Sequence, residues 1–149
     1  MKPLFLFLLF AAFIVLSDCQ KKELTPTSDL IIKAGFMCGW GTGEDSIEIS
    51  QSNIKYVYYI PAQSPVPVIN KSRSVTESEW REIVNDVNID DFLRLQYQSC
   101  NICVDGCDEW ISIKDDRISH NIRFGKGSQI DTISRLQNKL AELRAEFGK

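Results

Sequence analysis

Ser46-Ile47-Glu48-Ile49-Ser50-Gln51-Ser52-Asn53-Ile54-Lys55-Tyr56-Val57-Tyr58-Tyr59-Ile60 is the stretch on which the fold turns. Ile47 and Ile49 alternate with polar neighbours at the period of a half-buried strand, and residues 54–60 are β-branched and aromatic almost throughout. Gln51-Ser52-Asn53 between them carries turn chemistry, so the two runs predict an antiparallel hairpin with one face in a core. Alternation puts Tyr56 and Tyr58 on the face of Ile54 and Ile60, with Tyr59 opposite and expected at the surface.

Upstream, residues 30–37 read as a strand with Leu30, Ile32, Ala34 and Phe36 on one face and Ile31, Lys33, Gly35 and Met37 on the other, broken by the glycine-rich run at 38–43. Downstream, Pro61, Pro65 and Pro67 oppose ladder bonding, which predicts an extended loop or edge segment. Val75-Thr76-Glu77-Ser78-Glu79-Trp80 has the form of a capping box with a hydrophobic staple. Trp80, Ile83, Val84 and Val87 follow at helical spacing, predicting a helix over 77–88, with a short further turn over 89–95 that brings Phe92 and Leu95 inward. Residues 109–114 and 117–124 form a second predicted hairpin around Asp115-Asp116. Ser128 and Asp131 are a weaker capping pair before a last helix, whose Ile133, Leu136, Leu140, Leu143 and Phe147 make one apolar seam. The order β-β-β-α-β-β-α predicts an α+β domain, a mostly antiparallel sheet covered by two helices.

The chain has 149 residues, 44% hydrophobic and 25% charged, with net charge −3, which suits one globular domain and excludes collagen, low-complexity disorder and a multi-span membrane protein. No Lys/Arg cluster supplies the electrostatic footprint of a nucleic-acid binder. Met1-Lys2-Pro3 followed by the apolar run 4–16 is a signal peptide, because an apolar helix of that length falls short of the roughly 30 Å hydrocarbon core.

Leu16-Ser17-Asp18-Cys19 resembles the lipobox of bacterial lipoproteins, and the whole leader is similar to that of Bacteroidota lipoproteins. Leu16 and Ser17 fit the pattern, whereas Asp18 stands where a small residue is usual. The resemblance implies acylation of Cys19, a membrane anchor and a place in the cell envelope, most naturally at the outer membrane. Gln20-Lys21-Lys22-Glu23 is similar in part to a surface-export tag of such lipoproteins. The domains expected are a signal peptide over 1–18, a lipid-anchored tether over 19–29 and a single α+β domain over 30–149.

Five cysteines less an acylated Cys19 leave Cys38, Cys100, Cys103 and Cys107. In an exported chain that even count favours two disulfides, one tying the cluster to Cys38, with the connectivity left open. Such a link predicts the Trp40 loop held beside the acidic turn. A four-thiolate zinc site and a redox pair at Cys100 and Cys103 are the competing readings. Haem attachment fails, because Val104 follows Cys103 where a histidine is required.

No phosphate loop, nucleophile elbow or zinc-protease motif occurs, so no catalytic residue and no cofactor are expected. His120, the one histidine, falls on an apolar strand face and reads as a satisfied core residue. Trp40 and Tyr59 are the aromatic candidates for a recognition surface. Asp105, Asp108 and Glu109 are the acidic ones, in a turn that does not match a calcium loop. The function expected is binding or structural, for an unspecified protein or small-molecule ligand, with a thiol-redox or zinc-dependent envelope enzyme as the alternative.

Overall fold

The computed structural model describes residues 29–41, 43–62, 65 and 68–148. The leader, Cys19 and the tether up to residue 28 lie outside them. The expected hairpin is β2 (Glu44–Ile49) and β3 (Asn53–Tyr59), in a register that sets Ile49 against Ile54 and Ile47 against Tyr56. Because paired residues share a face, their apolar side chains line one side of the ladder. β1 (Ile31–Cys38) is central, pairing with β2 on one side and with β5 (Cys107–Lys114) on the other. Ile32 thereby lies between Ile49 and Ile113. β6 (Ser119–Gly125) completes the second hairpin with β5.

One strand more than the sequence reading expected is present. β4 (Val68–Ser74) pairs with β3, starting just after the prolines, at the edge of a six-stranded antiparallel sheet of order β4-β3-β2-β1-β5-β6. The prolines restrict what precedes the ladder and leave the strand itself free to form. The helix predicted over 77–88 ends early as α1 (Glu77–Asn85), and the further turn is a separate helix, α2 (Ile89–Arg94). Asn88 divides them by accepting the Asp91 amide at 3.1 Å as the N-cap of α2. The observed order is therefore β-β-β-β-α-α-β-β-α, still α+β with helices on an antiparallel sheet.

Thr76 caps α1 by accepting the Glu79 amide at 3.2 Å, and the Thr76 amide helps hold the Glu79 carboxyl below its usual range. The larger cause is Arg73 of β4, which donates to both Glu79 oxygens at 2.7 and 2.9 Å. The same guanidinium reaches Glu146 at 2.7 Å, so one side chain joins the edge strand to two helices.

α3 (Ser134–Phe147) carries the predicted seam, with Leu136, Leu140, Leu143 and Phe147 buried and Phe147 stacked on Tyr56 at 5.5 Å. Its expected Ser128–Asp131 cap does not form: a 3-10 turn (Asp131–Ile133) precedes the helix, and neither has a side-chain cap. The Gln137 amide takes that place, accepting from Ile130 N at 2.8 Å and donating to Ser128 O at 2.9 Å. A buried amide both donates and accepts and so satisfies one backbone donor and one acceptor, which an acceptor-only carboxylate cannot do, and the Ser128 amide is taken by Gly125 O at 2.9 Å.

Among the described residues α1, α2 and α3 share one core with the inward residues of the strands. At its margin Asp45 and Arg144, both partly buried, form an ion pair at 2.9 Å. Burial there outweighs the arginine and raises the Asp45 pKa. Residues of the opposite parity, among them Lys33, Met37, Trp110 and Tyr59, form an outer sheet face that the helices leave open.

Candidate functional site

The four cysteines of the domain form two disulfides, Cys38–Cys107 and Cys100–Cys103. Cys38 and Cys107 are directly opposed at the end of the β1–β5 ladder, with Cα atoms 4.1 Å apart. Cys100 precedes a 3-10 turn (Asn101–Val104) that contains Cys103, and both cysteines are exposed. Gly39 donates its amide to Gly106 O at 3.0 Å, so the Trp40 loop does lie beside the Asp105-Gly106 turn within the cluster. Any Cβ at Gly39 would come within 2.6 Å of Ile102 O, which explains a glycine at this close approach.

The candidate binding residues read from sequence do not converge. Trp40 is 65% exposed, and Asp105 is exposed with the left-handed φ of 62°. Asp108 is fully buried, with its oxygens taken by Ser99 Oγ at 2.7 Å and Ile102 N at 3.3 Å, so it ties the disulfide loop onto β5. Glu109 is paired with Phe36 and faces the helix side. Tyr59 is on the outer face but across the sheet on β3, where it donates its hydroxyl to Glu44. That bond, more than burial, raises the Tyr59 pKa. His120 is satisfied as expected, with Nε2 3.0 Å from Leu95 O and its ring edge-on to Phe92.

A different set of residues does converge. On the outer face, β1, β5 and β6 form a groove of about 390 Å³ around Trp110, flanked by Lys33, Met37, Ser112, Asn121 and Arg123. Gln98 closes one side, because the chain at 97–99 runs along β6 through Ser99 N to Arg123 O and Arg123 N to Tyr97 O, both 2.9 Å. Trp110 is paired with Gly35, whose missing Cβ would stand 3.0 Å from the indole Cζ2 and 2.2 Å from Asp45 O. The six-membered edge of the indole therefore reaches the space that a side chain at position 35 would need. Arg123 is held by its Nε donating to Ser99 O at 2.5 Å. Lys33 pairs with Glu48 at 2.7 Å and is the main cause of the lowered Glu48 pKa.

Sequence alternation does put Trp110 and Ser112 opposite Ile111 and Ile113, and Lys33 opposite Ile32. That these strands are neighbours is information that alternation does not hold. A second groove, of about 430 Å³, lies at Tyr56, Tyr58, Ile69 and Lys71 beside the end of α3, but Tyr56 is committed to its stack with Phe147.

Among the described residues no three His, Cys, Asp or Glu side chains gather as a metal site, and disulfide bonding leaves none of the four domain cysteines as a thiolate ligand. No family model matches the sequence, and no curated protein matches it. Fold and site define a disulfide-bonded α+β domain with helices on one face of its sheet and an aromatic, polar groove on the other.

Proposed function

We propose that this protein is a lipid-anchored domain of the bacterial cell envelope, held to the membrane through Cys19, that acts by binding, with the open sheet face as its recognition surface. The observation that carries the placement is the pairing of all four domain cysteines, the chemistry of an oxidising compartment, behind an apolar leader that ends in Cys19. The binding role rests on the outer groove, where an indole and several hydrogen-bonding side chains from three strands face solvent on a rigid sheet.

Two measurements test the reading separately. Cys19→Ser releases the protein to the soluble fraction; a variant that stays with the membrane after normal leader processing refutes the anchor. Oxidative footprinting of the protein in its native envelope and after purification tests the recognition surface. Trp110 is protected in the envelope relative to the exposed Trp40, and equal labelling of Trp110 in both states refutes the role of the face.

The exposed Cys-x-x-Cys disulfide favours a second reading, thiol–disulfide exchange at Cys100 and Cys103. Its reduction potential decides. A value below about −300 mV marks a structural link, and one near −200 mV marks a working redox pair.

A further inference from the structure

We propose that the groove over Trp110 binds an acidic saccharide, stacking a sugar ring on the indole and pairing its carboxylate with Arg123. The proposal rests on the reading of the outer face as a recognition surface and names its ligand.

The platform comes first. At Gly35 the neighbouring strand leaves no room for a side chain, since a Cβ would meet Asp45 O at 2.2 Å, and the space above is filled by the Trp110 ring. An indole that reaches over a glycine and also lines the groove offers the groove a flat apolar surface. A large apolar surface of that shape, half-buried and fixed by the cross-strand pair, matches the C–H face of a pyranose ring and needs no ordering on binding.

The rim is the second element. Ser112, Asn121 and Gln98 supply a hydroxyl and two amides, groups that both donate and accept, as vicinal sugar hydroxyls do. Gln98 Nε2 lies 3.3 Å from Asn121 O and 3.5 Å from Asn121 Oδ1, long contacts that a ligand hydroxyl can replace.

Charge selects among saccharides. Two cations and no carboxylate line the groove, although the chain as a whole carries net charge −3. Lys33 is partly neutralised by Glu48 at 2.7 Å. Arg123 uses Nε on Ser99 O, which fixes the guanidinium plane and leaves its two terminal nitrogens as a fork for a carboxylate.

The test uses the full mature protein in detergent, with galacturonic acid trimer as probe and maltotriose as its neutral counterpart, read by calorimetry. The acidic trimer binds, and the neutral one binds about tenfold or more weakly, the scale of one lost charge-assisted hydrogen bond. Trp110→Ala abolishes binding of the acidic trimer. Asn121→Ala, at an exposed position, weakens it without touching the core. Arg123→Gln brings the two trimers to equal affinity. Equal binding of both trimers by the wild type, binding indifferent to Trp110→Ala and Asn121→Ala, or full competition by citrate each overturns the proposal. So does failure of the folded wild type to bind either trimer. If Trp110 is nevertheless protected in the native envelope, the ligand class is wrong and the recognition surface stands; without that protection both fall.

Discussion

Removing the two disulfides one at a time asks what each does for the fold. Cys38–Cys107 closes a sequence separation of 69 residues and Cys100–Cys103 one of 3. In the chain-entropy model, loops of those lengths correspond to about 4.4 and about 1.6 kcal/mol of denatured-state restriction. The pair Cys38→Ala/Cys107→Ala is therefore expected to lose almost three times as much stability as Cys100→Ala/Cys103→Ala. At about 4 °C per kcal/mol for a domain of this size, the melting temperatures fall by about 18 °C and about 6 °C. Urea titration with matched thermal melts is the assay. Cutting the long link also raises the m-value, because the unfolded chain expands and exposes more surface. Equal losses for the two pairs, or a larger loss for the short link, would show that loop entropy is not what these bonds contribute. An unchanged m-value after loss of Cys38–Cys107 would show that the bond does not restrict the unfolded chain.

Three further outcomes follow from single positions. Glu79→Gln loses the Arg73 clasp at a cost of about 1 kcal/mol at neutral pH. Because the folded Glu79 pKa is lowered, its stabilisation is present above the unfolded value and lost as pH falls through the folded one. The gap between wild type and variant should thus begin to close as the pH falls below the ordinary Glu value of about 4.3 and vanish below the folded pKa; a gap that does not shrink with acid refutes the ion pair as its source. Leu136→Ala empties a site of 0% exposure under α3 and costs about 3 kcal/mol by urea titration; a loss below about 1 kcal/mol would mean that the seam does not seat the helix. Gly35→Ala drives a Cβ toward Asp45 O and the Trp110 ring, costing about 3 kcal/mol and shifting Trp110 fluorescence. Full stability with an unchanged spectrum would remove the argument that the indole lies on this glycine.

How far the fold was legible follows from which contacts are local. The hairpins β2–β3 and β5–β6 each occupy one short stretch, so alternation and turn residues reveal them, and Thr76 and the Leu136–Leu140–Leu143 seam announce their helices in the same way. β4 escaped because an edge strand needs no continuous buried face: Val68 and Ile69 are exposed and its partner-facing groups are backbone. The Ser128–Asp131 cap failed because the Ser128 amide, which the Asp131 carboxylate would have to accept from, donates to Gly125 O instead, while Gln137 holds the segment through Ile130 N and Ser128 O.

The order of alternating and helix-spaced segments determines by itself an α+β domain with an antiparallel sheet, because each segment's pattern is a property of neighbouring residues. The tertiary structure alone decided that Cys38 meets Cys107 and not Cys100 or Cys103, because the β1–β5 register sets those two residues opposite one another. The same register laid Trp110 over Gly35 and brought Lys33, Arg123 and Asn121 to one groove. Strand pairing between segments some seventy residues apart is governed by the burial of whole faces and the closure of a long loop, and no local pattern in either strand records its partner.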